Sequence, residues 1–280
     1  PEEIENLYHR HYETLKKHNP RLIYGISTAY GSKGPDSGKR SFDTAAQARS
    51  GLMWAAGDRD CREPFQIMGV ICDQMGATTM AFAIVCALLG RERFGIAQQV
   101  ETSLLGSAIH LQAVGVNLAT IRGRGFARHS RARCKNPLTN HYQCGDGEWI
   151  LLAEPYDHLW PEFCEAMGLG QLRHDSRFAT GVARRENCEE LVRILDQTFA
   201  TKSRAEWLKL FESKRARFAY SPVNSLLEAV NDPQVIDNDY VVSYDHPVFG
   251  KTNLMGFPVR FSETPAAIQS GAPEFGQHTE

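Results

Sequence analysis

Ile4, Leu7, His11 and Leu15 recur at helical spacing, and the pattern stops at Asn19-Pro20. The run Arg21-Leu22-Ile23-Tyr24-Gly25-Ile26-Ser27 then reads as a short buried strand. A helix followed within a few residues by a strand is the unit of a parallel α/β sheet. Gly31, Gly34, Pro35, Asp36 and Gly38 mark a loop, and a second helical stretch is predicted from Asp43 to Leu52. Between Ile71 and Leu89 the chain is apolar on every side and carries Gly76, Ala77, Ala81, Ala83 and Ala87. A helix that is hydrophobic all round is expected to be buried, its small residues letting neighbouring backbones approach. A further, mostly helical stretch is predicted from Val100 to Leu118.

From His141 the pattern changes. Tyr142-Gln143-Cys144, then Gly145-Asp146-Gly147, then Glu148-Trp149-Ile150-Leu151-Leu152 predict a hairpin with a glycine-rich turn. Two amphipathic helices follow, one built on Leu191, Ile194, Leu195 and Phe199, the other on Trp207, Leu208 and Phe211. Ser203 with Glu206 three residues on is a capping-box signal for the second. Strand-like runs recur between Val241 and Val259, around Phe249-Gly250-Lys251. The Arg-rich stretch 122–136 is the natural place for a boundary, which makes this a two-domain α/β chain.

Charge narrows the function. The chain of 280 residues has 31 basic and 33 acidic side chains, a net charge of -2. Nothing in that balance builds the one-sided basic field that nucleic-acid binding needs. Arg122, Arg124, Arg128, Arg131, Arg133 and Lys135 form the one local basic cluster, which reads first as a solvated loop and second as an anion site. The seven cysteines form no CxxC pair, and several sit in apolar runs, as Cys86 does. That is the usage of a reducing compartment, where free cysteine behaves as a small hydrophobe. The longest apolar run, Met80 to Leu89, falls short of the ~20 residues of a membrane span. A cytoplasmic protein without a membrane segment is therefore expected. The histidines show no HExxH spacing, and with no cysteine pair a metal site is not expected.

Asp73 is the acidic residue of the apolar stretch, near its start. A carboxylate buried there is neutral, paired or functional, and the helix dipole favours its ionised form. The plain alternative is a cap or first-turn acid. Glu101 reads as a first-turn acid, and Glu154 as an exposed residue or one that reaches a cleft. Trp149, Trp160 and Trp207 fall on apolar faces and read as core.

Several runs, in order along nearly the whole chain, resemble the family III (CaiB-type) coenzyme A transferases. They are Asn19-Pro20-Arg21-Leu22-Ile23-Tyr24; Phe42-Asp43 with Gln47-Ala48 and Ser50-Gly51-Leu52-Met53; Asp73 with Gly76; and Gln99-Val100-Glu101-Thr102-Ser103-Leu104-Leu105. Asp146-Gly147-Glu148-Trp149-Ile150, Ser221-Pro222-Val223, Asp232-Pro233-Gln234 and Gly276-Gln277-His278-Thr279 complete the set. The resemblance implies a large Rossmann-like parallel-sheet domain, residues 1–128 continued by 246–280, and a smaller α+β domain, 129–245. It further implies an interlocked homodimer. Asp73 is then the nucleophile of CoA transfer from an acyl-CoA donor to a carboxylic acid, through an aspartyl anhydride and an aspartyl-CoA thioester. Phe42 and Asp43 match a segment beside CoA, and Gln47, Arg91, Arg93 and Lys135 are further candidates for binding CoA or substrate. No metal or resident organic cofactor is implied, because CoA belongs to the substrates.

The chain departs from the family pattern in three places. Arg133-Cys134-Lys135-Asn136-Pro137 stands where glycine-rich loops cover the aspartate in formyl-CoA transferases, which argues against formyl or oxalyl substrates. Glu101 replaces an aspartate. Relatives begin with a further α/β segment that this sequence is expected to lack, because that part was left out, was cleaved or is provided by another polypeptide. Two other readings stand beside the transferase. One is an α-methylacyl-CoA racemase of the same fold, opposed by Phe42 at the position of that branch's catalytic histidine. The other is a non-catalytic partner subunit.

Overall fold

A computed structural model of the chain describes residues 12–125, 127–154, 156–277 and 279. It divides into two compact units, Pro1–Arg131 and Ala132–Glu280. The first helix expected from the sequence lies outside the described residues up to position 11; residues 12–18 are helical.

In the first unit, strand β1 (Tyr24–Thr28) is followed by helices α1 (Asp43–Arg49), α2 (Leu52–Ala56) and α3 (Ile71–Phe94). Strand β2 (Gln99–Ser103) leads directly into α4 (Leu104–Leu111) and α5 (Ala113–Arg122). β1 and β2 pair in parallel, Tyr24 opposite Gln99 and Thr28 opposite Ser103. Three sequence expectations change here. The helix expected over Asp43–Leu52 breaks in two, because Ser50-Gly51 turns the chain with Gly51 at φ 84°. Val100 to Ser103, expected to open a helix, is strand: the β-branched Val100 and Thr102 extend against β1, and Ser103 caps α4 through the N–H of Gly106 at 3.0 Å.

The third change concerns α3. At 24 residues it is about 36 Å long, enough by length and composition to cross a membrane. It lies instead on the parallel pair: a Cβ on Gly25 of β1 would come within 3.1 Å of the Met80 sulfur, and one on Gly76 within 3.2 Å of Leu104. Yet only Cys72, Gly76 and Ala87 of α3 are buried, and Phe82, Val85 and Leu89 stand 70%, 63% and 56% exposed. The all-round apolar character therefore belongs to a helix with one face on the sheet and one open in the single chain.

The second unit encloses its own core. Strands β3 (Thr139–Gln143), β4 (Trp149–Ala153) and β5 (Tyr220–Pro222) form an antiparallel sheet in that order. Around it lie α6 (Trp160–Met167), α7 (Gly181–Glu186), α8 (Cys188–Phe199) and α9 (Arg204–Ser213). The expected glycine turn joins β3 to β4, with Gly147 at φ 86°. The Ser203–Glu206 capping box is formed at the start of α9. Tyr142 stacks on Phe199 at 5.1 Å, and the Trp207 indole N–H donates to the Phe199 carbonyl at 2.9 Å, which satisfies that buried polar group. Trp160 and Trp207 are buried, whereas Trp149 is half-buried at the start of β4. Short helices α10 (Leu226–Ala229) and α11 (Pro233–Asp237) lead to a hairpin of β6 (Val241–His246) and β7 (Gly250–Met255). Residues 246–280, expected to rejoin the first domain, fall with the second unit.

Candidate active site

Both strands of the first unit end on hydroxyl residues, Thr28 and Ser103, and the loops beyond them are tied together. The Leu105 N–H donates to the Ala29 carbonyl at 3.1 Å, the Gly31 N–H to the Thr28 hydroxyl at 3.0 Å, and the Ser32 N–H to Glu101 at 2.7 Å. Glu101 is thus a strand residue that anchors the loop after β1, not a first-turn acid. In parallel α/β sheets ligands bind beyond the carboxyl ends of the strands, where crossover helices begin. Helix α3 connects back to β2 and presents its N-terminus on that side.

The chain enters α3 through two consecutive left-handed residues, Gly69 at φ 96° and Val70 at φ 51°. A β-branched residue is strained there. The N-cap position, Val70, has no side-chain acceptor to offer. Asp43, the first residue of α1, takes over the task across 29 and 30 residues of sequence. Its Oδ1 accepts from the N–H of Cys72 at 2.6 Å and of Asp73 at 3.3 Å. Gln47, one turn along α1, donates its amide to Asp43 Oδ2 at 2.5 Å and to the Ile67 carbonyl at 2.8 Å, and accepts from the Ile67 N–H at 3.0 Å. Asp43 is 5% exposed and Gln47 fully buried. A negative charge under the N-terminus of a 24-residue helix also complements its dipole.

Asp73 itself, third residue of α3, is exposed. The expectation of a buried Asp73 is corrected: the buried acid of the pair is Asp43, because α1 packs beneath the turn while the next residue up the helix faces out. Among the described residues no protein donor bonds the Asp73 carboxylate. The plain cap reading of Asp73 is answered by the same geometry, since the cap is Asp43. Cys72, the neighbouring nucleophile, is silenced: burial, then the charges of Asp43 and Asp73, push its thiol up to about 11.

The other sequence candidates are scattered. Phe42 precedes α1 and is 79% exposed, beside the Asp43–Asp73 junction along the chain. Asp43 and Gln47 lie underneath the site as supports, with polar atoms committed to protein partners. Arg91 and Arg93 occupy the last turn of α3, about 27–30 Å along the helix from Asp73. Arg91 is held by Glu92 at 2.9 Å and by the Arg21 carbonyl at 3.1 Å, and Arg93 lies over Phe94, so neither shares the helix start with Asp73. Lys135 belongs to the second unit, exposed in the turn before β3, its carbonyl accepting from Arg185 at 3.3 Å. Glu154, also in the second unit, is 3% exposed, where exposure or a cleft was expected. Its two oxygens accept the N–H groups of Tyr156 at 2.7 Å and Ala219 at 3.2 Å, a structural bridge.

Comparison with known proteins supplies the deciding observation. The sequence profile of CoA-transferase family III matches residues 6–279. The chain belongs to CoA-transferase family III. Among its curated relatives, a mouse succinyl-CoA:glutarate CoA-transferase is 32% identical over 270 residues, covering 96% of this chain and 61% of that protein. An acyl-CoA transferase of Fusarium pseudograminearum is 29% identical over 272 residues, covering 96% and 58%. The chain thus spans about three-fifths of the length of these relatives. A CaiB/BaiF family crystal structure from Brucella suis superposes with a TM-score of 0.84 at 26% identity, covering 95% of this chain and 68% of that one. The mixed α/β fold of this chain, with its parallel and antiparallel sheets, therefore matches that of a CaiB/BaiF family protein.

Proposed function

We propose that the chain carries the nucleophile of a CoA-transferase, and that the nucleophile is Asp73. The observation that carries this reading is the division of labour at the start of α3: Asp43 satisfies the helix N–H groups, leaving the Asp73 carboxylate exposed and uncommitted. The reaction then runs in balanced steps. Asp73 attacks the donor thioester carbonyl, the C–S bond breaks, and CoA leaves as thiolate while an aspartyl-acyl anhydride forms. The thiolate attacks the Asp73 carbonyl of that anhydride, releasing the donor acid and leaving an aspartyl-CoA thioester. The acceptor carboxylate attacks that thioester, releases CoA thiolate again, and receives it through a second anhydride, which regenerates Asp73. A carboxylate suits this work because it is acylated and restored, dividing one hard exchange into easier steps. CoA enters as part of the substrates, and no resident cofactor is called for.

Likeness to the mouse enzyme makes succinyl-CoA and glutarate the first donor and acceptor to assay. Phe42 lacks a proton-transferring group, which supports transfer over racemisation. The exposed apolar face of α3, with Phe82, Val85 and Leu89, supports assembly with a second copy that covers it. The test is Asp73→Ala in the purified assembly: transfer should fall to background with the assembly intact, and retained transfer would move the chain to a supporting role.

A further inference from the structure

Two cysteines 54 positions apart meet in the second unit. The sulfurs of Cys134 and Cys188 lie 3.4 Å apart, with the two residues 6% and 5% exposed. Cys134 sits in the turn before β3, where the Asn140 amide reaches its sulfur at 3.5 Å; Cys188 is the first residue of α8, its sulfur 3.5 Å from the Ala132 carbonyl. We propose that Cys134 and Cys188 form a reversible disulfide under hydroperoxide, a modification site separate from the transferase chemistry.

The geometry requires little. A disulfide has sulfurs about 2.05 Å apart, so the pair closes by roughly 1.4 Å through side-chain rotation and a small shift of the turn. The roles are unequal. The two sulfurs share one hydrogen bond in which either thiol can donate; with Cys134 as donor, that bond and a backbone N–H hold the Cys188 thiol below its ordinary range, while the same contact and burial push Cys134 up. Cys188 also opens a 12-residue helix, whose dipole favours thiolate. Cys188 thiolate therefore attacks the peroxide O–O bond, giving a sulfenic acid and hydroxide. Cys134 then attacks the Cys188 sulfur, forming S–S and expelling a second hydroxide. The two thiol protons convert both to water, so two thiols are oxidised as one peroxide is reduced. Cys61 is more exposed but has no cysteine partner among the described residues, so it serves as an internal control.

The test treats the intact protein with hydrogen peroxide, quenches by alkylation under denaturing conditions, and maps peptides without reductant. The expected result is a linked Cys134–Cys188 peptide, two alkylatable thiols lost from that pair, and full recovery with dithiothreitol. A Cys61→Ser/Cys86→Ser variant should give the same link, and Cys134→Ala should leave Cys188 unlinked. Overturning results are Cys134 and Cys188 both still alkylatable when Cys61 has oxidised, or Cys188 carried to sulfinic acid without the cross-link.

Discussion

Asp43 holds Asp73 by its backbone: one carboxylate oxygen accepts the N–H of Asp73 at 3.3 Å and that of Cys72 at 2.6 Å. The consequence is an aspartate whose main chain is pinned and whose side chain is exposed. Gln47 completes the arrangement by fixing both Asp43 and the Ile67 peptide, so α1 acts as a clamp on the start of α3.

Asp43→Ala should therefore cost about 1–3 kcal/mol, because two helix N–H groups and the buried Gln47 amide lose their acceptor. Asp43→Asn keeps one acceptor and turns an N–H toward Gln47, and should fall between wild type and alanine. Urea denaturation measures both. Equal stability in all three proteins would contradict the clamp.

Cys72 gives a pH test of the same pocket. Its thiol is held up to about 11 by burial and two carboxylates, so it is neutral at all pH values well below that and becomes thiolate only as pH rises through that range. Alkylation of the native protein at pH 8 should reach the exposed Cys61 long before Cys72. Asp43→Asn should bring Cys72 labelling to lower pH, since a nearby negative charge is removed. Fast labelling of Cys72 at pH 8 in the native protein would count against the pocket as described.

Much of this was legible in the sequence, and the misses share a cause. The hairpin at Gly145-Asp146-Gly147 and the Ser203–Glu206 box are local, fixed by residues within three or four positions, and they stand where the pattern puts them. The place of Asp73 in the first turn of an apolar helix was also readable. Its support was not: Asp43 reaches it from 30 residues upstream, and no spacing rule links the two. Val100-Glu101-Thr102 looked like a helix start because its apolar residues continue into α4, but pairing with β1 decides for strand. The separation of Arg91 and Arg93 from Asp73 follows from helix rise alone. Their nearness in sequence to an apolar helix hid the length of that helix.

A racemase would exchange the α-proton of its substrate with water. Phe42, beside Asp43, has no ionisable group to carry that proton. Incubation of a single-enantiomer 2-methylacyl-CoA in deuterated water should give no label and no inversion, read by mass spectrometry and chiral chromatography. Label uptake with inversion would revive the racemase.

Assembly can be tested on α3. Val85→Glu places a charge on a side chain 63% exposed in the single chain, where it should leave monomer stability within about 0.5 kcal/mol of wild type. Light scattering should report a dimer for wild type and a shift toward monomer for the variant. An unchanged dimer would mean that this face is not the interface.

The most direct measurement of the central claim is covalent trapping. The protein is mixed with succinyl-CoA, quenched with hydroxylamine or borohydride, digested and mapped by mass spectrometry. The expected result is modification at Asp73 alone, abolished in Asp73→Asn and preserved in Cys72→Ser. Modification at any other residue, or none under conditions that give full transfer, would contradict the account.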